Sequence, residues 1–377
     1  MKEKKSILRN PGVQAFICSI ACILIGILVG YIVLLIIKPA GANQAITAIL
    51  KNWLVSTRTN IRLKNLGQTL VKTAPLVLCS LSVLFAYKVG LFNIGASGQY
   101  TAGACAALYA ALAWHWSWLP CLLLAVICGA IMGAISGLLK ATRNVSEVIS
   151  GIMLNWIALY TTNMILTNVK EETSPYTLVL GKNASQALLP KAGLDSIFNG
   201  YEYVTIAIPI AIIAAIVVWV VLEKTKFGYE LRATGMNKNA AKYAGMKEKQ
   251  NLIITLAISG GLAGLGAACM YLTGILQWTC TATSVPGMGF NGIAAAFLGG
   301  LSPIGAIFSS YFIQHITSGG GSINLQVYPS QVADLISAVI IYMCGFVAFF
   351  KLVLNNFLDK RDAKKAAKES AKEGGNA

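Results

Sequence analysis

Charge is what this sequence has least of. Only 12% of its 377 residues are charged, 56% are hydrophobic, and no charged residue falls between Val89 and Leu139 or between Gln250 and Ala333. A water-soluble globular domain does not leave such long stretches uncharged, so the composition predicts a membrane protein. Acid is scarcer than base, 14 Asp and Glu against 30 Lys and Arg, for a net charge of +16. The basic residues are not gathered beside stacking aromatics, which argues against a nucleic-acid surface and leaves the surplus as an orientation signal for membrane insertion. Histidine is limited to His115 and His315. There is no GxxxxGK[ST] phosphate loop, no HExxH and no GxSxG, so any pumping by this chain must draw its energy from elsewhere. Cysteine is present nine times, but Cys18, Cys22, Cys79, Cys105, Cys121, Cys128, Cys269 and Cys344 lie in apolar runs and none forms a CxxC pair. They read as small buried hydrophobes rather than a disulfide framework.

What is there is a series of apolar runs. A span needs about 20 such residues, and Phe16–Ile37, Thr69–Tyr87, Leu91–Trp114, Trp118–Leu139, Val148–Thr167, Tyr203–Leu222, Leu252–Thr273 and Val332–Phe350 qualify. The first follows four basic residues in Met1–Asn10 and has no small-residue cleavage site, so it reads as a retained span. Gly287–Ile316 is also apolar but is cut by Gly299, Gly300, Pro303 and Gly305. It is expected to enter and return as two half-helices, broken around Gly299 to Pro303 and lining a protein-enclosed path. The fold class is therefore an all-α polytopic membrane protein of about eight full transmembrane helices plus a broken or re-entrant pair.

Basic residues favour the cytoplasmic side. Putting residues 1–15 inside also places Lys88, Lys140, Arg143, the loop of residues 223–250 and the basic tail of residues 352–377 inside, with residues 16–351 as the membrane domain. One region runs against this scheme, since Lys38–Gln68 would lie outside with five basic and no acidic residues. Residues 168–200 balance three basic against three acidic residues and read as a small extracellular cap. His115, between Trp114 and Trp116, fits an aromatic belt at the headgroups.

Polar residues at membrane depth are costly enough to be functional candidates. Asn93 and Gln99 flank Ile94-Gly95-Ala96-Ser97-Gly98, where they could line a path or join helices. Glu147, Gly151 and Asn155 fall within about 80° on one helical face, so a carboxylate and an amide could share a cavity. Glu147 could equally support the start of its helix. Asp334 fits a helix start, with Ser330 as its cap. Asn291 joins the candidates because Leu91-Phe92-Asn93-Ile94-Gly95 is echoed by Gly289-Phe290-Asn291-Gly292-Ile293. Gly129/Gly133/Gly137 and Gly260/Gly264 recur at four-residue spacing, as close helix packing requires. In the inner loop, Asn237 or Asn239 can cap a short helix through Tyr243 and Gly245 can end it, while Ala240, Ala241 and Ala244 give it a small smooth face suited to docking a partner.

Taken together, Ala74-Pro75-Leu76, Gly90 to Gln99, Glu147-Val148-Ile149 with Met153-Leu154-Asn155, Gly228 to Gly245, Ser259 to Gly264, and Gly289 with Ile293 to Pro303 carry a resemblance over roughly Leu66–Phe350. The chain resembles the permease subunits of bacterial ABC importers in the branched-chain amino acid, ribose and nucleoside permease superfamily, and looks most like the nucleoside and simple-sugar branch. The resemblance implies a multi-pass protein of the bacterial plasma membrane with two permease chains paired, a different second chain being the commoner case in this branch. It implies cytoplasmic ATPase subunits, carrying the ATP and Mg, on a docking loop that includes Gly228, Glu230, Arg232, Gly235, Asn237, Ala240, Ala241 and Gly245. It further implies an extracellular substrate-binding protein, a path for nucleosides or related sugars, and no cofactor or catalytic residue on this chain. Where the family commonly has Glu before Gly98, this chain has Ser97. Branched-chain amino acids and riboflavin-like compounds are the nearest alternative cargoes. A self-contained secondary transporter would usually hold several carboxylates at membrane depth, whereas this sequence offers Glu147 and Asp334 near span ends.

Overall fold

The computed structural model describes residues 11–320, 331–346 and 349–361. The expected N-terminal residues 1–10, Ser330, residues 347–348 of the last span and the tail from residue 362 lie outside the described residues. Among the described residues there is no strand. The elements are α1 (Pro11–Ile37), α2 (Ala42–Lys51), α3 (Thr59–Lys88), α4 (Ala96–Leu112), α5 (Trp118–Arg143), α6 (Glu147–Leu166), the one-turn helices α7 (Leu180–Asn183) and α8 (Leu194–Ile197), α9 (Ala207–Lys224), α10 (Lys226–Met236), α11 (Lys238–Tyr243), α12 (Glu248–Tyr271), α13 (Met288–Leu298), α14 (Pro303–Gly319) and α15 (Gln331–Cys344). Residues 349–361 are helical. Six helices, α1, α3, α5, α6, α9 and α12, are long and apolar enough to cross a membrane, and the chain is an all-α multi-pass membrane protein.

Two of the expected spans, Leu91–Trp114 and Thr69–Tyr87, take a different form, while Gly287–Ile316 is broken as expected. Leu91–Trp114 is helical only from Ala96, because Gly90 has a left-handed φ of 77° and the chain runs irregularly to Gly95. Thr69–Tyr87 is the inner part of a longer helix, α3, which carries Pro75 and is 89% buried across its apolar window. Gly287–Ile316 is two helices, α13 and α14, separated at Gly299–Ser302, with Gly300 and Leu301 both at positive φ and Pro303 opening α14. Pro at a first helical position costs no hydrogen bond and makes a sharp restart. Phe297, just before the break, packs on Tyr87 and Phe92 with ring centroids 5.0 and 6.4 Å away. The segment thus reaches the Lys88 end of the bundle before α14 returns.

Small residues set the core. Gly129 and Gly133 of α5 face Gly260, Gly264 and the Leu256 backbone of α12, and Gly103 of α4 also meets Gly264. A Cβ at Gly260 would overlap the Gly129 carbonyl oxygen, so the helices approach to backbone contact as in small-xxx-small packing. The stripes seen in the sequence are thus packing within this one chain. Gly260→Val is expected to cost about 3 kcal/mol or more through forced separation of α5 and α12 and to lower the amount of chain in the membrane several-fold. An immunoblot of membranes at wild-type abundance would contradict this seam.

Contacts also sort the loops by end. Gly235 of α10 lies against Val89 and Gly90 at the foot of α3, and Gly137 of α5 packs on Leu252 and Ile253 near the start of α12. Lys88, Lys140, Arg143 and residues 223–249 therefore share one end. Gly67 packs on Phe198 and Val204, and Lys64 lies 5.9 Å from the Tyr201 ring centre. Burial pushes the Tyr201 phenol up to about 12, so this is a cation resting on a neutral ring. Asn52 donates to the His315 carbonyl at 2.9 Å. The basic segment Lys38–Gln68 accordingly sits with the 168–206 cap at the opposite end.

Candidate functional site

The irregular stretch between α3 and α4 is held by a buried amide cluster. Asn93 Nδ2 donates to Gln99 Oε1 (2.7 Å) and to Ser259 Oγ of α12 (2.6 Å), and lies 3.3 Å from Ser82 Oγ of α3. Gln99 Nε2 returns a bond to Asn93 Oδ1 (3.1 Å), and Ser259 Oγ donates to the Ser82 carbonyl (2.7 Å). One side chain thereby joins α3, the start of α4 and the middle of α12. Asn155 of α6 meets the same stretch from outside, accepting from the Gly98 backbone N–H at 2.7 Å and donating to the Ile94 carbonyl at 3.1 Å. These backbone groups belong to the first turn of α4 and the loop before it, which lack partners of their own, and a side-chain amide with one donor and one acceptor satisfies both. Gly95 and Gly98 allow this approach, since a Cβ at Gly98 would stand 2.7 Å from the Asn155 Cα.

The structure therefore brings Asn93, Gln99 and Asn155 together, each nearly fully buried. It does not bring Glu147 to them. Glu147 stands in the first turn of α6 and pairs with Lys140 of α5 at 2.9 Å, which is the helix-start geometry. Asn291 lies half-buried on α13 two residues beyond Gly289, whose Cα side faces Ser97, a Cβ there being 2.5 Å from the Ser97 nitrogen. The second echoed segment thus packs on the start of α4, two residues beyond the first. The Ser97 hydroxyl is buried with no hydrogen-bond partner among the described residues.

At the other end of the same stretch sits the α10–α11 unit. Thr225 caps α10 by accepting from the Gly228 N–H at 3.0 Å, and Gly228 packs on the Val221 and Leu222 backbone. Glu230 pairs with Lys226 at 3.8 Å and Arg232 with Glu223 at 2.9 Å. Asn237 caps α11 through the N–H groups of Asn239 and Ala240, and Gly245, at φ 78°, ends it. The unit touches the core twice. Gly235 lies on the Val89 carbonyl and the Gly90 backbone, where a Cβ on Gly90 would stand 2.9 Å from the Gly235 oxygen, and Asn251 of α12 donates to Thr234 at 2.8 Å. Val89 and Gly90 are three to four residues from Asn93, and Asn251 is two helical turns from Ser259.

The alanine face reads differently in three dimensions. Ala241 is buried and Ala240 exposed. The large apolar side chains offered to solvent are Met236, 88% exposed, and Tyr243, 97% exposed, with Tyr229 beside them at 60%. Their signal in the sequence was a large apolar residue just before the cap of α11 and another at its last position.

A buried polar cluster at the broken start of a membrane helix is thus joined by contact to a helical unit projecting from one end of the bundle. The family model described as branched-chain amino acid transport system / permease component matches residues 65–344, and the chain belongs to that family. It is 33% identical over 299 residues to the guanosine ABC transporter permease protein NupP of Bacillus subtilis, covering 78% of this chain and 84% of the relative. It is 32% identical over 322 residues to the nucleoside ABC transporter permease protein NupB of Lactococcus lactis, covering 82% and 86%. It is also 29% identical over 296 residues to the glucose ABC transporter permease protein TsgB13 of Haloferax volcanii, covering 76% and 77%. No solved structure matches the chain.

Proposed function

We propose that this chain forms the translocation path of an ATP-binding cassette importer for nucleosides or related simple sugars. The names of the relatives support the cargo class, and the contact of Gly235 with Val89 and Gly90 carries the mechanism. In this reading cytoplasmic ATPase subunits, which bind the ATP and Mg, seat on residues 223–250. A second permease chain completes the path, and an extracellular binding protein delivers cargo to the end formed by residues 168–206 and Lys38–Gln68. The first and last residues are cytoplasmic and the membrane is the bacterial plasma membrane. Closure of the ATPases displaces α10–α11, the Gly235 contact passes that displacement to the Val89–Gly90 turn, and the Asn93 cluster moves α4, α6 and α12 as a body. Asn93, Gln99 and Asn155 are the polar spine of the path wall, with Asn291 and Glu147 at its margins.

Met236 and Tyr243 are the docking anchors, because exposed Met and Tyr side chains on a rigid capped helix are the type that carries binding energy at interfaces. Tyr243→Ala is expected to weaken ATPase association by about 2 kcal/mol, roughly 30-fold, leaving the permease itself intact. Pull-down of ATPase by detergent-extracted permease reads this directly, and unchanged retention removes the anchor. The cargo is tested by labelled-guanosine uptake in cells lacking the chain. Restoration by the wild-type chain supports the reading, restoration of glucose uptake alone narrows it to sugars, and restoration of leucine or riboflavin uptake alone replaces it.

A further inference from the structure

Helices α3, α9 and α12 leave a groove of about 460 Å³ between them, lined by apolar side chains throughout. Phe85 of α3, Ile258 of α12 and the α9 face from Ile210 to Val221 line it, and Phe227 at the start of α10 closes the end nearest Lys224. On the α9 wall Ile213 is 58% and Val217 52% exposed, so the groove opens sideways into the surroundings of the bundle. The run from Ile210 to Val221 measures about 16 Å along the helix axis, which matches half of a hydrocarbon core of about 30 Å. Spread over that length, the volume leaves a cross-section of roughly 30 Å², too narrow for a helix about 10 Å across. It is the width of one alkyl chain. The end at Phe227 is ringed with base. Lys224 and Lys226 are exposed on either side of Thr225, and Lys88 stands one turn beyond Phe85 on α3. The Lys224 ammonium rests over the Trp219 ring, 5.5 Å from its centre, and pairs with no acid among the described residues. Lys226 reaches Glu230 only at 3.8 Å, and Glu223 is already held by Arg232. Lys88 has no acidic partner among the described residues.

We propose that this groove is a binding site for an anionic phospholipid of the surrounding bilayer, with one acyl chain along α9 and the phosphate among Lys224, Lys226 and Lys88. The two parts of the site do different work. The apolar wall buries the chain without regard to headgroup, and lysines at headgroup depth favour a lipid of negative charge. A second protein chain laid over the same face would put only side chains into the groove and would have to bring its own acid to the lysines. The site also sits beneath α10. Phe227 meets the acyl chain at one end of the helix whose other end, Gly235, bears on Val89. A lipid in the groove therefore braces α10 against the turn that it moves. That consequence rests on the docking reading above, whereas the lipid site itself does not.

The test is native mass spectrometry of the detergent-purified importer, equilibrated with equal amounts of dioleoyl phosphatidylglycerol and dioleoyl phosphatidylcholine, which differ in headgroup alone. Wild type is compared with the triple variant Lys88→Gln, Lys224→Gln, Lys226→Gln and with Val217→Trp, which fills the groove and leaves the lysines in place. Wild type is expected to hold phosphatidylglycerol over phosphatidylcholine by about tenfold or more. The glutamine variant should lose that preference while still holding lipid, and Val217→Trp should hold one lipid fewer per copy of this chain, whichever headgroup is offered. All three substituted lysines project from helix ends and Val217 faces outward, so the chain is expected to fold in each case. Equal retention of the two lipids by wild type would overturn the site. So would a glutamine variant with the wild-type preference, or a Val217→Trp chain with the wild-type lipid count. Loss of the second permease from Val217→Trp at an unchanged lipid count would make the groove a subunit seam and overturn it as well.

Discussion

Gly235→Glu is expected to cut uptake to less than a tenth of wild type while the chain accumulates normally in the membrane. The reason is steric and local. A Cβ at this position would overlap the Val89 carbonyl oxygen and stand 2.9 Å from the Gly90 nitrogen, both backbone atoms that cannot rotate away. The end of α10 must lift off the turn, and its displacement no longer reaches Asn93. The spans themselves are untouched, because α10 and α11 lie outside them. Gly235→Ala meets the same oxygen and should already lose most of the transport, whereas Gly245→Ala meets no atom within 4 Å and suffers only the strain of its φ of 78°. Uptake measured beside an immunoblot of membranes checks this series. Full rescue by Gly235→Glu would show that the contact carries no displacement.

Asn93→Leu should be as severe for a different reason. The substitution removes the donor shared by Gln99 and Ser259 and the acceptor used by Gln99, leaving buried polar groups that cost about 1–3 kcal/mol each when unpaired. Asn155→Leu similarly strips the Gly98 N–H and the Ile94 carbonyl. Both variants are expected to abolish uptake while still retaining ATPase in a pull-down, since neither amide belongs to the α10–α11 unit or bonds to it. Retained uptake would reduce the cluster to ordinary helix joining, and lost ATPase association would show that the cluster and the α10–α11 unit are not separable.

Hydropathy made most of the bundle legible, because a run such as α1 or α5 has no alternative to lipid. The caps of α11 were legible too, since Asn at a helix start and Gly just past its end are local chemistry that needs no distant partner. Partners distant in sequence were not. The bond from Asn155 to Gly98 was hidden because nothing in the neighbourhood of Asn155 announces a partner 57 positions earlier. The alanine pattern of α11 suggested a smooth partner face, but Ala241 turns into the protein and the exposed bulk is Met236 and Tyr243. The start of α4 was misplaced by five residues because Leu91 to Gly95 is as apolar as a helix would be. It is Gly90 and the amide bonds around Asn93 that keep it irregular. The glycine stripes did announce close packing, though not that α5 and α12 would supply each other's surface.

The bond from Asn155 to the start of α4 also sets an order of events during synthesis. When the ribosome has delivered α4, the N–H of Gly98 and the carbonyl of Ile94 have no partner, and hydrocarbon offers none. Their partner is translated only after all of α5 and half of α6 have followed. The insertion machinery must therefore shelter α4 until α6 arrives, so that α4, α5 and α6 leave for the bilayer as one parcel rather than helix by helix. A ribosome stalled before residue 155 would leave α4 still extractable beside the translocon, and one stalled beyond α6 would leave it integrated.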